Sequence, residues 1–190
     1  MDQNLDRYFK EIIYNDAWMI AVLKLVRDLN LNDCWIGAGF VRNKIWDHLH
    51  GEKRTKLNDI DVIYYDHSKS SKECDLLIEN KLKIKQSILN WSVKNQARMH
   101  IKNKHNQYTD CNEAISFWPE TATSLAVRLN AKNQIRYIAP YGLEDLFNLT
   151  VNPTPHFDLT TYNERVKKKG WIQKWNRLEI NTTNNMVLKK

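Results

Sequence analysis

Asp59 and Asp61 stand two residues apart in the stretch Asn-Asp-Ile-Asp-Val-Ile-Tyr-Tyr, and a Gly37-Ala38-Gly39 turn precedes them by about twenty residues. On a strand, residues at i and i+2 point to one face. Both carboxylates then share a face, and Ile60 and Val62 point into a core on the other. Two like charges side by side repel, and burying them without a counter-charge is costly. A divalent cation removes that repulsion. Mg²⁺, or Mn²⁺ in its place, is a hard ion usually held by one or two carboxylates together with substrate phosphates. The bland alternative is a pair of solvated acids at a strand start.

The glycines favour the chemical reading. They leave a short apolar stretch, Cys34-Trp35-Ile36, and open a helical pattern. Glycine lets backbone amides approach a ligand closely, and a helix N-terminus attracts anions. Arg42 and Lys44 lie in the first turns of that helix, where both are candidates to meet phosphate. Gly37, Ala38, Gly39, Arg42 and Lys44 are therefore the expected phosphate-binding set, with Asp59 and Asp61 as the metal ligands.

A dinucleotide-binding fold competes for the same residues, because it too joins a glycine turn to an acid about twenty residues on. Here Arg42 replaces the third glycine of G-x-G-x-x-G, and two helices precede the first strand. Two acids on one face suit a metal better than a ribose. Further on, Asn95, Gln96 and Arg98 form a dense polar cluster after the Trp91–Val93 strand. Amides can read a base or sugar edge, and arginine can meet phosphate or an acid. A network that ties a loop to the sheet explains them equally well. His100 and His105 have no acid or cysteine at supporting spacing for a metal site.

The elements that must position these residues follow from periodicity. Apolar residues at Leu5, Tyr8, Phe9, Ile12 and Ile13 predict a helix. Asn15 or Asp16 caps a second, through Ala17–Leu29, that is apolar on most sides. Phe40–Leu49 and Cys74–Leu89 read as helices, and Ile60–Tyr65 and Trp91–Val93 as strands. Asn95–Ile101 is a turn with a short helix, and Thr109–Trp118 is a helix ended by Pro119. Ser124–Leu129 and Gln134–Ala139 should pair as a hairpin. Tyr141–Leu149 is a short helix, Asn152–Pro155 a linker, and Tyr162–Trp175 a basic helix whose Trp171 and Trp175 dock on the body. The expected fold class is α/β (α+β): a small mixed sheet flanked by helices, with N-terminal helices and a C-terminal basic helix. Residues 1–180 are expected to form one domain, and 181–190 a disordered tail.

Composition bounds the partners. The 190 residues carry a net charge of +7, with 42% apolar and 27% charged residues. Most of the excess is C-terminal: Thr161–Lys190 holds eight basic and two acidic side chains. That segment suits a polyanion or simple solvation. Three widely spaced cysteines, no apolar run of membrane length and no leader-like N-terminus point to a cytoplasmic, reducing setting without membrane contact.

The glycine turn, Val41-Arg42 and the two aspartates together resemble the polymerase-β-type nucleotidyltransferase superfamily, which includes the CCA-adding enzymes. Asn95–His100, Ala114–Leu129, Ala139–Phe147 and Arg165–Trp171 are similar to a bacterial group described only as nucleotidyltransferase family proteins. The resemblance spans Trp18 to Trp175. It implies a nucleotidyltransferase-like fold. It also implies transfer of a nucleoside monophosphate from an NTP to an acceptor (RNA, protein or small molecule), with Mg²⁺ or Mn²⁺ as cofactor and release of pyrophosphate. The superfamily generally places a third carboxylate on a neighbouring strand, and the corresponding position here is Ser92. Asp110 or Glu113 could substitute from nearby. Otherwise the chain is a degenerate, non-catalytic nucleotide- or RNA-binding module, with Ser92, Asn95, Gln96 and Arg98 left as acceptor or base contacts. A sugar-nucleotide glycosyltransferase is a further reading of the paired aspartates.

Overall fold

The structure, a computed structural model, describes residues 3–182. Helix α1 (Gln3–Tyr14) buries Phe9, Ile12 and Ile13 of its predicted stripe, with Leu5 half-buried and Tyr8 exposed. Helix α2 (Ala17–Arg27) is capped by Asp16, whose side chain accepts from the Met19 amide at 3.1 Å. Strand β1 (Trp35–Gly37) runs into α3 (Gly39–His50), which ends at Gly51 in the left-handed conformation that glycine adopts without strain. Strand β2 (Ile60–Tyr64) connects through α4 (Lys72–Lys85) to β3 (Trp91–Asn95). Two short helices follow, α5 (Met99–Asn103) and α6 (Cys111–Ser116). The predicted hairpin forms from β4 (Ala126–Leu129) and β5 (Ile135–Ile138).

These strands make one mixed sheet in the order β3-β2-β1-β4-β5. Only β2 and β3 run parallel, with α4 as their crossover; the other pairs are antiparallel. The sheet's two faces differ. Ile60, Val62 and Tyr64 enter the main core with α1, α2 and α3. On the other face, Ile63 and Tyr65 join Trp35, Tyr108 and Ile115 in a smaller core under α6. By alternation Asp61 lies on this second face, beyond the end of that small core, whereas Asp59, expected on the same strand, is an exposed residue just before it. No helix among the described residues is long and apolar enough to cross a membrane.

Several boundaries depart from expectation. Helix α4 stops at Lys85, and α7 is only Glu144–Phe147. Asn152–Pro155 is not a free linker. Pro153 forms a bridge with Glu120, and Thr154 is buried, donating from Oγ1 to the Trp118 carbonyl at 2.6 Å. The predicted basic helix is broken at Gly170 (φ 59°) into α8 (Leu159–Lys169) and α9 (Trp171–Lys174). A parallel pair of two-residue strands, β6 (Thr150–Val151) and β7 (Glu179–Ile180), closes the chain onto the body. Asn181 extends it, its amide donating to the Val151 carbonyl at 3.0 Å. The rest of the expected tail, from residue 183, lies outside the described residues.

Candidate active site

A cavity of 120 Å³ opens between the N-terminus of α3, the segment before β2, and the α8–α9 turn. Its walls bring Ala38, Gly39 and Arg42 together with Asp59 and Asp61. The parallel register sets Asp61 beside Ser92. Ser92 therefore occupies the strand position next to the aspartate pair. Burial pushes the Asp61 carboxyl up to about 6, and the neighbouring Asp59 charge adds to it; Ser92, Lys169 and Lys94 oppose the shift. Desolvation is the larger cause, and the repulsion that the spacing predicts is the second. The two carboxylates are oxygen donors of the kind a hard divalent cation takes together with substrate phosphates, although among the described residues they form no cluster of three potential metal ligands.

Arg42 is 7% exposed and has no carboxylate partner among the described residues. Its guanidinium donates to Thr123 Oγ1 at 2.9 Å and to Asn43 Oδ1 at 2.8 Å, while Nε has no partner among the described residues. It lies over the rings of Trp171 at 4.4 Å and Trp46 at 5.0 Å. Burial pushes it down to about 10, although Glu120 and Asp61 favour its charge. A buried cation with neutral partners is poised for an anion. Around it stand Lys56, Arg165, Lys169 and Lys174, so five cations face two carboxylates across the cavity. Arg165 is tied at 2.5 Å to Glu120, which is fully buried. Desolvation first, and then Arg165 and Arg42, hold the Lys169 ammonium below its usual range.

The C-terminal cations are what sequence reasoning missed. Lys169 was expected to face solvent or a polyanionic acceptor. A continuous helix would carry it away from α3, but the left-handed Gly170 turns the chain there. Trp171 and Trp175 then pack edge-on against Trp46, with ring centroids at 5.6 and 5.1 Å. Trp175 also donates to Asp47 at 2.8 Å, and Asp47 in turn accepts from the Thr55 amide at 2.8 Å. One buried carboxylate thus fixes both the C-terminal turn and the segment leading to Asp59. The signal lay in Lys-Gly-Trp, where a glycine separates the basic run from an aromatic anchor.

Other expected residues are engaged elsewhere. Lys44 is two residues from Arg42 on a helix and so points to a nearly opposite face. It pairs with Asp16 at 3.0 Å, alongside Arg54 at 2.5 Å. Gly37 is a strand residue whose missing side chain makes room for Trp118: a Cβ there would sit 2.7 Å from Trp118 Cη2. The unusual backbone in the turn belongs to Ala38 (φ 52°, ψ −124°), anchored by its amide to the Leu125 carbonyl at 3.1 Å. Asn95 is fully buried and knits the chain, donating to the Asp66 and Lys69 carbonyls at 2.7 and 2.9 Å. Arg98 pairs with the buried Asp75, which also accepts from Tyr64 Oη at 2.9 Å. Asn95 and Arg98 are therefore structural, whereas Gln96 lines a second cavity that also borders Asp61. Asp110 and Glu113 do not replace a third carboxylate. Asp110 caps α6 by accepting from the Glu113 amide at 2.7 Å, and Glu113 accepts from the Thr109 amide at 2.6 Å. His100 and His105 belong to no cluster of three potential metal ligands among the described residues.

Comparison with known proteins decides the family. The nucleotidyltransferase family model matches residues 24–180. The chain belongs to the nucleotidyltransferase family. A protein whose NMR structure reveals a CCA-adding enzyme head domain is 38% identical, with a TM-score of 0.82, covering 93% of this chain and 96% of that one. A tRNA nucleotidyltransferase complexed with a primer tRNA and an incoming ATP analogue is 14% identical, with a TM-score of 0.53 over 84% of this chain and 46% of that one. A Thermotoga maritima CCA-adding enzyme complexed with tRNA is 16% identical, with a TM-score of 0.52 over 95% and 40%. These last two share the fold alone, and this nucleotidyltransferase spans less than half their length. No curated protein sequence matches it. The mixed sheet and helices are those of the polymerase-β-type nucleotidyltransferase fold.

Proposed function

We propose that the chain is a metal-dependent nucleotidyltransferase. It moves a nucleoside monophosphate from an NTP to an acceptor and releases pyrophosphate. The observation that carries this reading is the pairing, in one cavity, of two mutually repelling carboxylates with a buried arginine that lacks an anionic partner among the described residues. Asp59 and Asp61 would hold Mg²⁺ or Mn²⁺, which when bound supplies charge neutralisation at the phosphates. Gly39 and the first amides of α3 receive the triphosphate, and Ala38 sets the angle of entry. Arg42 donates to it from a fixed, desolvated position, where hydrogen bonds to an anion are strongest. Lys169 and Lys174 close the cavity from the C-terminal side and favour the charge that builds on departing pyrophosphate. The protein's part is positioning and electrostatic stabilisation. The cytoplasm, with its NTP pool and reducing conditions for three free cysteines, is the setting this function requires.

A second reading has one observation in its favour. Ser92 stands beside Asp61 where a third carboxylate would complete the set. A chain that binds nucleotide without transferring it accounts for that serine. The thermal midpoint with each of the four NTPs, with and without Mg²⁺, tests the site common to both readings. Saturation at about 100 times the dissociation constant adds about 2.7 kcal/mol. A metal-dependent rise with an NTP is expected; no rise with any NTP would remove both readings. Pyrophosphate release separates the two.

A further inference from the structure

A second cavity, of 440 Å³, leaves the first and runs along β3 to α5. The residues common to both are Ala38, Asp61, Thr123 and Arg165. Of these, Arg165 alone is a cation. It stands on α8 one turn before Lys169, on the same face of the helix. Buried Tyr162 and Val166 seat α8 on the body, and Tyr162 Oη donates to the Val151 carbonyl at 2.7 Å.

Arg165 is held differently from Arg42. Its Nε donates to Glu120 Oε1 at 2.5 Å, and its Nη1 and Nη2 hydrogen-bond nothing among the described residues. A third of the side chain stays accessible. In Arg42 the two terminal nitrogens are taken, by Thr123 and Asn43. Glu120 is fully buried, and its Oε2 has no partner among the described residues. Its carbonyl accepts from the Thr123 amide at 3.0 Å and the Ser124 amide at 2.9 Å. The main chain of Glu120 thus places the threonine that holds Arg42, while its side chain anchors Arg165. A bond through Nε fixes the guanidinium and leaves the two-nitrogen end as a fork. Glu120 also favours the charge of Arg42 and of Lys169.

Resting on the nucleotidyl-transfer reading, the two cavities divide the substrate. The first, with the start of α3, Arg42, Lys56, Lys169 and Lys174, suits the β- and γ-phosphates that leave as pyrophosphate. In-line displacement puts the α-phosphoryl group between the departing pyrophosphate and the incoming acceptor. The wall common to both cavities is the place that meets this requirement, and it carries Asp61. An α-phosphoryl group presents two non-bridging oxygens, and a guanidinium fork presents two parallel donors to such a pair.

We infer that Arg165 is a further catalytic residue of this site, whose Nη1 and Nη2 hold the two non-bridging oxygens of the α-phosphoryl group, and that Glu120 is its positioning residue. Arg165 neither gives nor takes a proton. It aligns the group that is transferred, whereas Arg42, Lys169 and Lys174 serve the group that leaves.

The test compares two unreactive probes by calorimetry in Mg²⁺: the α,β-methylene analogues of the four NTPs, and inorganic pyrophosphate. Arg165→Lys keeps a cation for Glu120 but loses the fork. It should weaken the best-bound analogue about tenfold and pyrophosphate less than about twofold. Lys169→Met, in contrast, should weaken both. Equal loss of both probes in Arg165→Lys would place Arg165 on the departing phosphates, and unchanged binding of both would leave it a scaffold ion pair; either result overturns the inference. So would a wild type that binds an analogue but not pyrophosphate, because the division of the substrate would then fail. A wild type that binds no analogue would instead sink the underlying reading, and this with it. Replacing the pair by neutral groups, Glu120→Gln with Arg165→Met, avoids a buried unpaired charge and should show the same selective loss. Glu120→Gln alone keeps an acceptor for Nε and should weaken the analogue about threefold, again sparing pyrophosphate. A lower thermal midpoint with no difference between the probes would show Glu120 to be scaffold only and contradict its positioning role.

Discussion

Asp61→Asn removes one of two repelling carboxylates while preserving shape. The native carboxyl titrates at about 6, against a usual value of 3.8. Two pKa units correspond to about 3 kcal/mol; residual solvent access reduces this to roughly 1–3 kcal/mol. The sign follows from proton binding. Because the folded-state pKa is raised, the native protein holds a proton that the unfolded chain has released between pH ~4 and ~6. Wild-type stability therefore falls as pH rises through that window and levels off above it. The variant lacks this term. At pH 3.5 the two should differ little, and at pH 7.5, without metal, Asp61→Asn should be the more stable by roughly 1–3 kcal/mol. For a chain of this size that is about 2–10 °C in Tm. Differential scanning calorimetry in chelator across pH 3.5–8 measures it. Parallel profiles for the two proteins would refute the claim that burial, and after it the Asp59 charge, holds the Asp61 carboxyl above its usual range.

The other substitutions separate site from scaffold. Arg42→Met keeps the packing against Trp46 and Trp171 but removes a buried cation without a carboxylate partner among the described residues. Stability should hold or rise by up to about 2 kcal/mol, while NTP-dependent stabilisation is lost in thermal-shift titrations. Arg98→Ala leaves Asp75 buried without its counter-charge and should cost about 2–4 kcal/mol in urea unfolding, with NTP affinity unchanged. Gly37→Ala drives a methyl against Trp118 and should cost about 1–3 kcal/mol by the same measurement. Ala38→Gly relaxes an unfavourable φ/ψ and should not destabilise; a loss above about 1 kcal/mol would show that the alanine conformation is unstrained.

The reach of sequence reasoning follows from range. Asp59 and Asp61 could be placed at one cavity because they are close in sequence, although the strand begins only at Ile60, and Gly39 could be placed at a helix start because the turn signal is local. The β4–β5 hairpin was legible for the same reason, with Asn130–Asn133 between two apolar runs. Arg42 was legible as a residue of the glycine-turn cavity, but Lys44 was not separable from it until helix phase put the two on opposite faces. Lys169 and Lys174 escaped notice because their place depends on a long-range packing event, the docking of Trp171 and Trp175 on Trp46 after the turn at Gly170. Asn95 and Arg98 looked like a ligand-reading cluster because buried polar networks and binding sites use the same residue types; burial of Asn95 and Asp75 distinguishes them. Asn152–Pro155 read as a linker by composition, yet Pro153 needs no amide donor to bridge Glu120.

The central claim is that Asp59 and Asp61 hold a divalent cation together with an NTP. Mn²⁺ titration followed by electron paramagnetic resonance at pH 7.5, with and without NTP, tests it most directly. The account predicts that NTP and wild-type protein together sequester Mn²⁺ more tightly than NTP alone, and that Asp59→Asn or Asp61→Asn abolishes the difference. Identical Mn²⁺ binding by the wild type and both variants in the presence of NTP would contradict it.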